Sequence, residues 1–395
     1  MAGMSHYLDH AASTDLREGA LAAWQRASAI RGNPSALHGD GRAARRLVEE
    51  SREQLATALG VEPGEVVFTS GGTEADNLAV LGLATAQRRA TGRSVVMMAP
   101  IEHPAVLETA RPLRQQGFDI VDLPVGRDGT VDLAASLSLI DQWADRLALI
   151  SLMSVNNETG AIQPVAELAA AAHRIGLPLH CDAVQAIGHL TIPTRAAGGS
   201  GEPSGWPDAI ALSGHKLGGP IGVGALVVAR GRPISPTTYG GGQERQLRSG
   251  TVAVGLVAAL ASAVTEAVAA TEPESARLAG LSDRLRTGLA GLGAEVIRPA
   301  LPAPHIVYAL FPGARADALL MLLDQQGISV STGSACTAGV AQPSHVLEAM
   351  GYSPTQASSG LRFSFGWTST PDDVDAALAA LPAAWAAART IGRAR

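Results

Sequence analysis

Short apolar segments alternate with helix-like patterns through the first two-thirds of the chain. Seven of these segments are predicted strands: "EVVFTS" (65–70), "SVVMMAP", "FDIVDLP", "LALISLMSV", "LPLHCD", "AIALSG" and "GALVVA". Helical spacing follows the first strand and recurs at 104–116 and 164–175. Continuous apolar strands separated by helices are typical of a mostly parallel sheet with helices on both faces. The pattern therefore predicts an α/β fold.

The pattern changes after about residue 265. A charged helix pattern over 272–292 is followed by "HIVYALF", a helix at 315–326, the strand-like "SVST" and a final alanine-rich helix from Pro371. This order of elements predicts a second, smaller α/β domain.

The boundary between the two domains is expected near the alanine-rich segment "VAVGLVAALASAV" (252–264), which is typical of a buried helix and too short to span a membrane. We expect a large domain over 15–262 and a small domain made of 1–14 and 263–395. The Gly/Pro/Ser-rich stretch 196–208 is expected to be a surface loop without a chemical role.

Composition and charge exclude several classes of protein. The 395 residues are 46% hydrophobic and 17% charged, with a net charge of −6, which argues against disorder. The arginines are scattered, so we expect no nucleic-acid-binding surface. The N-terminus lacks the pattern of a signal peptide, and two cysteines cannot build a disulfide framework, so a cytoplasmic location is expected. We predict no metal site.

One lysine stands out in the stretch "ALSGHKLGGP" (211–220). Lys216 is the only lysine in a chain whose Lys and Arg together number 30. Arginine serves as well for surface charge and pairing, whereas a buried lysine can lose its proton or attack a carbonyl. A codon bias that left one lysine behind is the alternative. Because Lys216 lies between His215 and a glycine-rich run with apolar residues on both sides, we favour a chemical role.

Polar residues follow several predicted strands at their carboxyl ends, where ligands bind in open α/β sheets. In "FTSGGTEADN", Gly72 and Thr73 offer backbone N–H groups, a hydroxyl and a helix N-terminus to a phosphate. A threonine N-cap explains the same residues equally well, and the stretch matches neither glycine-rich nucleotide motif. His103 follows another strand, where a merely solvated loop histidine is the alternative.

Two more strand ends carry polar groups. "SVNNETG" places Asn156 in a polar turn, although turn chemistry alone accounts for asparagine there. In "LHCDAVQAIG", Asp182 ends a strand and Gln185 follows one helical turn later, and a carboxylate among apolar residues needs a partner. A reactive Lys216, a buried carboxylate, a phosphate-binding helix start and the flat ring of His103 together indicate a site for pyridoxal 5′-phosphate (PLP).

Two residues near the C-terminus complete the candidate chemistry. Cys336 lies in "STGSACTAGVAQPS", a small and polar stretch typical of an exposed loop, and is the candidate nucleophile; an incidental loop cysteine is the alternative. Cys181 follows an apolar strand and is expected to pack as a small hydrophobe. Arg362 lies in the apolar segment "LRFSFG" and requires an anion, for which a substrate carboxylate is suited.

With these residues identified, the chain resembles the cysteine desulfurases of the NifS/IscS type, fold-type I PLP-dependent enzymes of the class V aminotransferase family. The motifs follow one another in the family's order from end to end: "YLDHAAST", "GNPSALH", "FTSGGTEADNLA", "EHPAVL", "VNNETG", "DAVQAIG", "SGHKLGGP", "GGGQERQLRSGT", "STGSACT" and "LRFSFG". The resemblance implies a large domain with a mostly parallel seven-stranded sheet covered by helices. It also implies a smaller α/β C-terminal domain that carries a long loop around Cys336.

The resemblance implies roles for the residues around the cofactor. Lys216 would hold PLP as a Schiff base, with Asp182 on the pyridine nitrogen and Gln185 on the ring hydroxyl. His103 would stack on the ring and help to move protons. The implied contacts to the phosphate are Gly72, Thr73, Ser213, His215 and, from a neighbouring subunit, Thr251.

The resemblance also implies the substrate and the partners. Asn156, expected close to the cofactor, and Arg362 would hold the carboxylate of L-cysteine, with Asn33 assisting. Cys336 would take the substrate sulfur as a persulfide, L-alanine would leave, and the sulfur would pass to an acceptor or Fe–S scaffold protein. The implied assembly is a homodimer with shared active sites.

Three alternatives remain at this point. An aminotransferase, a selenocysteine lyase or another lyase of the same fold would need Lys216 and Asp182 but not Cys336. A non-catalytic sulfur-transfer scaffold would be expected to have lost the lysine or the cysteine, and both are present. A nicotinamide-dependent dehydrogenase lacks support because the glycine fingerprint is missing.

Overall fold

The structure of the protein is a computed structural model that describes residues 5–191, 205–333 and 343–393. Its strands are β1 (His6–Tyr7), β2 (Val66–Thr69), β3 (Val95–Met98), β4 (Asp119–Asp122), β5 (Leu147–Ser151), β6 (Leu179–Asp182), β7 (Ala209–Ser213), β8 (Gly224–Val228), β9 (Glu295–Val296), β10 (Ile306–Leu310), β11 (Ile328–Ser329) and β12 (Gly360–Ser364). Its α-helices are α1 (Glu18–Ser28), α2 (Gly39–Leu59), α3 (Gly72–Thr91), α4 (Pro104–Leu107), α5 (Ala110–Gln115), α6 (Leu133–Trp143), α7 (Val165–Arg174), α8 (Val254–Ala269), α9 (Thr271–Gly291), α10 (Ala316–Asp324), α11 (His345–Ala349), α12 (Pro354–Ala357) and α13 (Pro371–Arg393).

The predicted seven-stranded sheet is confirmed. Its strand order is β2-β8-β7-β6-β5-β3-β4, and β8 is the strand that runs antiparallel to both of its neighbours. The other pairs are parallel. Every residue of β3, β5, β6 and β7 is buried, because helices cover both faces of a sheet of this kind.

The helix predicted over 104–116 is wrong as one continuous element. The structure has α4 and α5 instead, with a break at Glu108 and Thr109. Pro112 lacks an N–H group and cannot donate to the carbonyl of Glu108, which removes one rung of the helical hydrogen-bond ladder. The hydroxyl of Thr109 donates to the carbonyl of Val106 across 2.6 Å at the same point.

A second hydrophobic core surrounds the antiparallel sheet β12-β10-β9, with α9, α10 and α13 packed on it. The fully buried side chains of this core include Leu278, Phe311, Leu319, Phe363 and Phe365. β1, from the N-terminal segment, pairs in parallel with β11, and Leu8 belongs to the same core. This arrangement is in keeping with a small domain built from both ends of the chain, but the predicted domain limits themselves stay a prediction.

The buried helix predicted at 252–264 is present as α8. Within the described ranges, no single helix is both long and apolar enough to cross a membrane. Helices α8 and α9, which bend by 70° at their junction, meet that test only when taken together, on length and composition alone.

The sheet brings the predicted site residues to one edge. β5, β6 and β7 are neighbouring parallel strands, and they end at Ser151, Asp182 and Ser213. A short 3₁₀ turn, Gly214–Lys216, follows β7 directly. Carboxyl ends of parallel strands are where open α/β sheets bind ligands, so Asp182 and Lys216 enter one crevice.

Candidate active site

A cavity of about 780 Å³ opens at this edge of the sheet. Its wall combines the N-terminal segment at Ala11 and Ala12, the carboxyl ends of the large-sheet strands, and β12. Nine of the residues predicted from the sequence line it: Gly72, Thr73, His103, Asp182, Gln185, Ser213, His215, Lys216 and Arg362. Residues far apart in the chain thus meet in one pocket.

Lys216 is held by the backbone of the N-terminal segment. Its Nζ donates to the carbonyl oxygens of Ala11 and Ala12, each at 2.7 Å. Burial, followed by repulsion from Arg362, lowers the pKa of Lys216 to about 8, while Asp182 and Asp9 act in the opposite direction. An amine with this pKa is partly neutral near physiological pH, which is the form that attacks carbonyls and accepts protons.

Asp182 closes the floor of the cavity at the end of β6. Its Oδ1 accepts a hydrogen bond from the backbone N–H of Val184 at 2.9 Å. Burial, reinforced by the neighbouring carboxyl of Asp76, raises the pKa of Asp182 to about 7, and Lys216 opposes that shift. A cation or a hydrogen-bond donor placed in the cavity would therefore lower the pKa of this carboxyl and favour its ionised form.

Gln185 is fixed by two contacts from outside the large sheet. Its Nε2 donates to the carbonyl of Ala11 at 2.9 Å, and its Oε1 lies 3.4 Å from Nε2 of His305. The side chain is 7% exposed and borders the cavity. Gln185 thus links the N-terminal segment, the large sheet and β10 at the site.

The start of α3 has the shape of an anion cradle. The N-cap residue is Gly71, which has no side chain to bond the first helical amides, so the threonine N-cap alternative for Thr73 is excluded. A Cβ atom added at Gly72 would lie 2.9 Å from Cγ2 of Val184 and 3.4 Å from Cβ of Ser213. The first backbone N–H groups of α3 are therefore not capped by the N-cap residue and can bind a ligand.

His103 forms another part of the wall. It is the N-cap residue of α4, and its Nδ1 accepts a hydrogen bond from the N–H of Ala105 at 3.1 Å. The neutral ring therefore carries its proton on Nε2. The ring is accessible from the cavity, yet the protein packed around it, followed by the charge of Lys216, lowers its pKa to about 4. His103 is thus a neutral ring at the site.

His215 borders the cavity, as does Ser213. Its Nδ1 lies 3.4 Å from the hydroxyl of Ser13. Burial and the adjacent Lys216 lower the pKa of His215 to about 4, so that it too is neutral at physiological pH.

Arg362 already has an anionic partner. One Nη donates to Oδ1 of Asp9 at 2.7 Å, and the other donates to the carbonyl of Asn157 at 2.7 Å. The Nε group is buried and has no hydrogen-bond partner among the described residues. The anion expected beside the buried Arg362 is therefore the carboxylate of Asp9 in this structure. No role was assigned to Asp9 from the sequence.

The structure places Asn156 outside the wall of the cavity, and its predicted contacts to the cofactor and the substrate stay a prediction. Its side chain is fully buried, donates to the carbonyl of Ile101 and accepts from the backbone N–H groups of Glu158 and Thr159. These bonds hold the turn together. The next residue, Asn157, lines the cavity instead.

Two other predicted residues lie away from the cavity wall, and a third lies outside the described residues. Asn33 and Thr251 are exposed, and Oδ1 of Asn33 accepts from the N–H of Ser35 at 2.9 Å. Cys336 lies outside the described residues, as does most of 196–208. The roles of Asn33, Thr251 and Cys336 stay predictions.

The structure adds polar residues that the sequence did not single out. Glu158 and His345 border the cavity, and Ser344 donates its hydroxyl to Oε2 of Glu158 at 2.5 Å. Burial raises the pKa of Glu158. Nε2 of His345 lies 3.0 Å from the carbonyl of Glu102. No group of three or more His, Cys, Asp or Glu residues within the described ranges is arranged to hold a metal ion.

Comparison with known proteins gives matches over almost the whole chain. Over 389 residues the chain is 46% identical to a protein of Mycobacterium tuberculosis (strain ATCC 25618 / H37Rv) named "IscS-like cysteine desulfurase", covering 97% of both. It is 37% identical over 379 residues to the "Cysteine desulfurase IscS" of Methanosarcina thermophila, covering 95% of this chain and 91% of that one. A solved structure named "NIFS-LIKE PROTEIN" has a TM-score of 0.86 at 33% identity and covers 97% of this chain and 99% of its own.

The family description "Aminotransferase class-V" matches residues 6–377. That range spans the seven-stranded sheet, the cavity and both ends of the stretch around Cys336. The predicted resemblance is confirmed: the chain belongs to the class-V aminotransferase family.

Proposed function

We propose that the protein is a PLP-dependent cysteine desulfurase, which converts L-cysteine to L-alanine and takes up the sulfur as a persulfide on Cys336. The observation that carries the proposal is the position of Lys216. The only lysine of the chain lies in a cavity with a buried carboxylate and an open helix N-terminus. The identity of 46% over 97% of the chain to an "IscS-like cysteine desulfurase" supports the same reaction.

The residues of the cavity fit PLP. The uncapped amides at the start of α3 suit a phosphate, and Gly72 allows the turn to pack close to Val184 and Ser213, where a Cβ atom would be crowded. Ser213, His215 and Thr73 stand beside these amides. Lys216 would attach the cofactor, Asp182 would pair with its ring nitrogen, and Gln185 would meet its ring hydroxyl. When bound, PLP supplies an electron sink that acidifies the Cα–H bond of an attached amino acid.

Lys216 would then move the substrate proton. Its amine, the pKa of which is lowered by burial to about 8 in the protein alone, would accept the Cα proton and return it. The carbonyl oxygens of Ala11 and Ala12 hold the ammonium form in place between the two transfers. His103 would cover the ring and pass a proton through its Nε2–H, the nitrogen that does not bond to Ala105.

The substrate carboxylate would bind at Arg362. The Nε group of Arg362 is unpaired in the described structure, and its Nη bond to Asp9 could be shared with an incoming carboxylate. Asn156 keeps its predicted contact to the substrate carboxylate, and Asn157, whose backbone carbonyl accepts from Arg362, lines the cavity beside this guanidinium. A guanidinium binds a carboxylate with two parallel hydrogen bonds, which orients the amino acid.

Cys336 would attack the sulfur of the bound L-cysteine. The new S–S bond forms as the Cβ–S bond breaks, its electron pair goes to Cβ, and a proton then completes the methyl group of L-alanine. Gly333 and Pro343, which precede and follow the stretch that contains Cys336, both border the cavity. Three residues of extended chain from Gly333 span up to about 11 Å, which is enough to bring Cys336 to a substrate there.

Cys181 is not suited to that role. It is fully buried in β6, and burial together with Asp182 raises its pKa well above the usual value. A thiol that stays protonated is a poor nucleophile, and a buried one is out of reach of an acceptor protein.

We propose further that the enzyme is a cytoplasmic homodimer that delivers sulfur to an acceptor or Fe–S scaffold protein. Thr251 is exposed and outside the cavity of its own chain, as a residue that serves a neighbouring subunit would be. Asn33 is exposed in the same way and is assigned an assisting substrate contact at that shared site.

The proposed function is tested by counting products. The PLP-loaded protein is incubated with L-cysteine and a reductant, and alanine and sulfide are measured together for the wild type and Cys336→Ala. We expect equal amounts of both products from the wild type and neither from the variant. Equal turnover by the variant would contradict the desulfurase proposal and favour a lyase or aminotransferase of the same fold.

A further inference from the structure

A buried polar array lies directly behind Asp182 and is not used by any step above. Ser151, the last residue of β5, is paired with His180 of β6 in the sheet register. The hydroxyl of Ser151 lies 2.9 Å from Nδ1 of His180, and Nε2 of His180 lies 3.3 Å from Oδ1 of Asp76 on α3. All three side chains are at most 1% exposed.

The array is next to Asp182 because of strand geometry. His180 and Asp182 are alternate residues of β6, so their side chains point to the same face of the sheet, the face covered by α3. Asp76 lines the cavity together with Asp182. Two carboxyls thus share a region of low dielectric, where both cannot be ionised without a compensating cation.

The hydrogen-bond pattern of the array is incomplete. Nε2 of His180 and Oδ1 of Asp76 are both buried, and neither has a hydrogen-bond partner among the described residues despite their short separation. The separation of 3.3 Å is nevertheless within the range of a hydrogen bond. Leaving a donor or acceptor unpaired in the interior is costly, so the two groups are expected to share a proton.

The proton belongs on Asp76 rather than on His180. An ion pair in the interior is stable only with further hydrogen bonds to both partners, and Oδ1 of Asp76 has none among the described residues. Burial raises the pKa of Asp76 well above its ordinary value and lowers the pKa of His180 to about 4, and both shifts favour the neutral forms.

We propose that Asp76 is a neutral carboxylic acid whose proton is donated to Nε2 of His180, and that this pair leaves Asp182 as the ionised carboxylate of the site. The chain of bonds then runs from the Asp76 hydroxyl to His180 Nε2, and from His180 Nδ1–H to the hydroxyl oxygen of Ser151. Asp76 and His180 are positioning residues in this account, which rests on the proposed function for the role of Asp182.

The other charged groups around Asp182 fit the same picture. Glu102, which follows β3, is fully buried, and burial together with the charge of Asp182 raises its pKa, which favours its neutral form. Lys216 approaches from the turn after β7 and lowers the pKa of Asp182. With both neighbouring carboxyls neutral, Lys216 and the ring nitrogen of the cofactor face a single negative charge.

The first test is infrared spectroscopy of the full-length apoprotein at neutral pH. The difference between the wild type and Asp76→Asn should show the loss of a carbonyl band of a hydrogen-bonded, protonated carboxyl. In His180→Leu this band should shift to the frequency of an acid without an acceptor, and in Ser151→Ala it should persist. Loss of ionised carboxylate bands in Asp76→Asn would overturn the proposal.

The second test is the pH dependence of PLP binding to the same proteins. If Asp76 is neutral, Asp76→Asn should leave the acid limb of the binding curve in place. If Asp76 were ionised, removal of its charge would shift that limb to lower pH by about one unit, a tenfold change in affinity below the limb, and the proposal would fail. Failure of the wild type to bind PLP would contradict the proposed function, while the infrared result would still decide the state of Asp76.

Discussion

Arg362, which lines the cavity, donates a hydrogen bond to Oδ1 of Asp9 at 2.7 Å. The side chain of Arg362 is 5% exposed and that of Asp9 is 21% exposed. Asp9 follows β1 at the N-terminus, whereas Arg362 belongs to β12 near the C-terminus. The pair holds the guanidinium in place at the cavity before any substrate is present, which lowers the cost of ordering it on binding.

Substitution of Arg362 should weaken substrate binding rather than cofactor binding. For Arg362→Gln we expect the KM for L-cysteine to rise by at least about tenfold, because a hydrogen bond to a charged group contributes about 1.5–3 kcal/mol. Steady-state kinetics with measured PLP content checks this. The control is Arg284→Gln, which removes an exposed ion pair with Asp375 and should leave KM unchanged. An unaltered KM in Arg362→Gln would rule out the assigned role.

The attachment of PLP should follow the ionisation of Lys216. The neutral amine is the nucleophile, so the rate of covalent attachment to the apoprotein should rise with pH and reach half its maximum near the Lys216 pKa of about 8. Stopped-flow absorbance measures this rate. Lys216→Arg keeps a cation but should show no covalent attachment. A rate that does not change with pH on either side of this value would contradict the assignment.

A methyl group at Gly72 should exclude the phosphate. Its Cβ would come within 2.9 Å of Val184 Cγ2, and the displaced turn would lose contacts to the ligand. We expect Gly72→Ala to bind PLP at least about tenfold more weakly in a fluorescence titration.

Gly280→Ala is the matched control for that substitution. Gly280 lies within α9, and an added Cβ meets no atom within 4 Å. The change should stabilise the protein by about 0.5–1 kcal/mol, because alanine is the better helix former. Its PLP affinity should equal that of the wild type, and equal losses in both variants would argue against a local effect at Gly72.

Stability should fall in mild acid because buried histidines resist protonation. His189 and His305 stack at 3.7 Å, and burial, then Arg17, lowers the pKa of His189 from 6.5 to about 4. Between about pH 6.5 and pH 4, the unfolded chain binds a proton at His189 that the folded chain does not bind. The free energy of unfolding is therefore highest above about pH 6.5 and decreases as the pH falls toward 4.

This dependence can be measured by urea unfolding at several pH values. From about pH 7 to pH 5, the free energy of unfolding of His189→Gln should decrease by about 2 kcal/mol less than that of the wild type. Identical slopes for the two proteins would show that His189 is protonated in the folded state. Thr109→Val, a substitution at a buried site far from the histidines in sequence, serves as control.

Much of the fold and of the site was predictable because the sequence alternates between two clear patterns, continuous apolar strands and segments with helical spacing. Fully apolar strands such as β5 and β7 are fixed by burial on both faces, and the chemistry of a parallel sheet collects where they end. Asp182, Gly72 and Lys216 follow strands directly, so their convergence could be inferred without coordinates. The presence of a single lysine, Lys216, indicated the kind of chemistry at the site, which the spacing of strands and helices does not reveal.

Other contacts depend on features that sequence patterns do not encode. Asn156 and Asn157 are neighbours of the same type, and only the path of the turn decides that the first bonds the backbone and the second faces the cavity. Asp9 meets Arg362 only because the two ends of the chain pack together. The approach of Asp76 to His180 likewise needs α3 to cover β6.

The persulfide on Cys336 is the most direct test of the central claim. The PLP-loaded protein is given one equivalent of L-cysteine without reductant, and the peptides that contain its two cysteines are analysed by mass spectrometry. The account predicts one added sulfur atom on the Cys336 peptide, none on the Cys181 peptide, and one alanine per added sulfur. Alanine formed with no sulfur on Cys336, or sulfur found on Cys181, would contradict it.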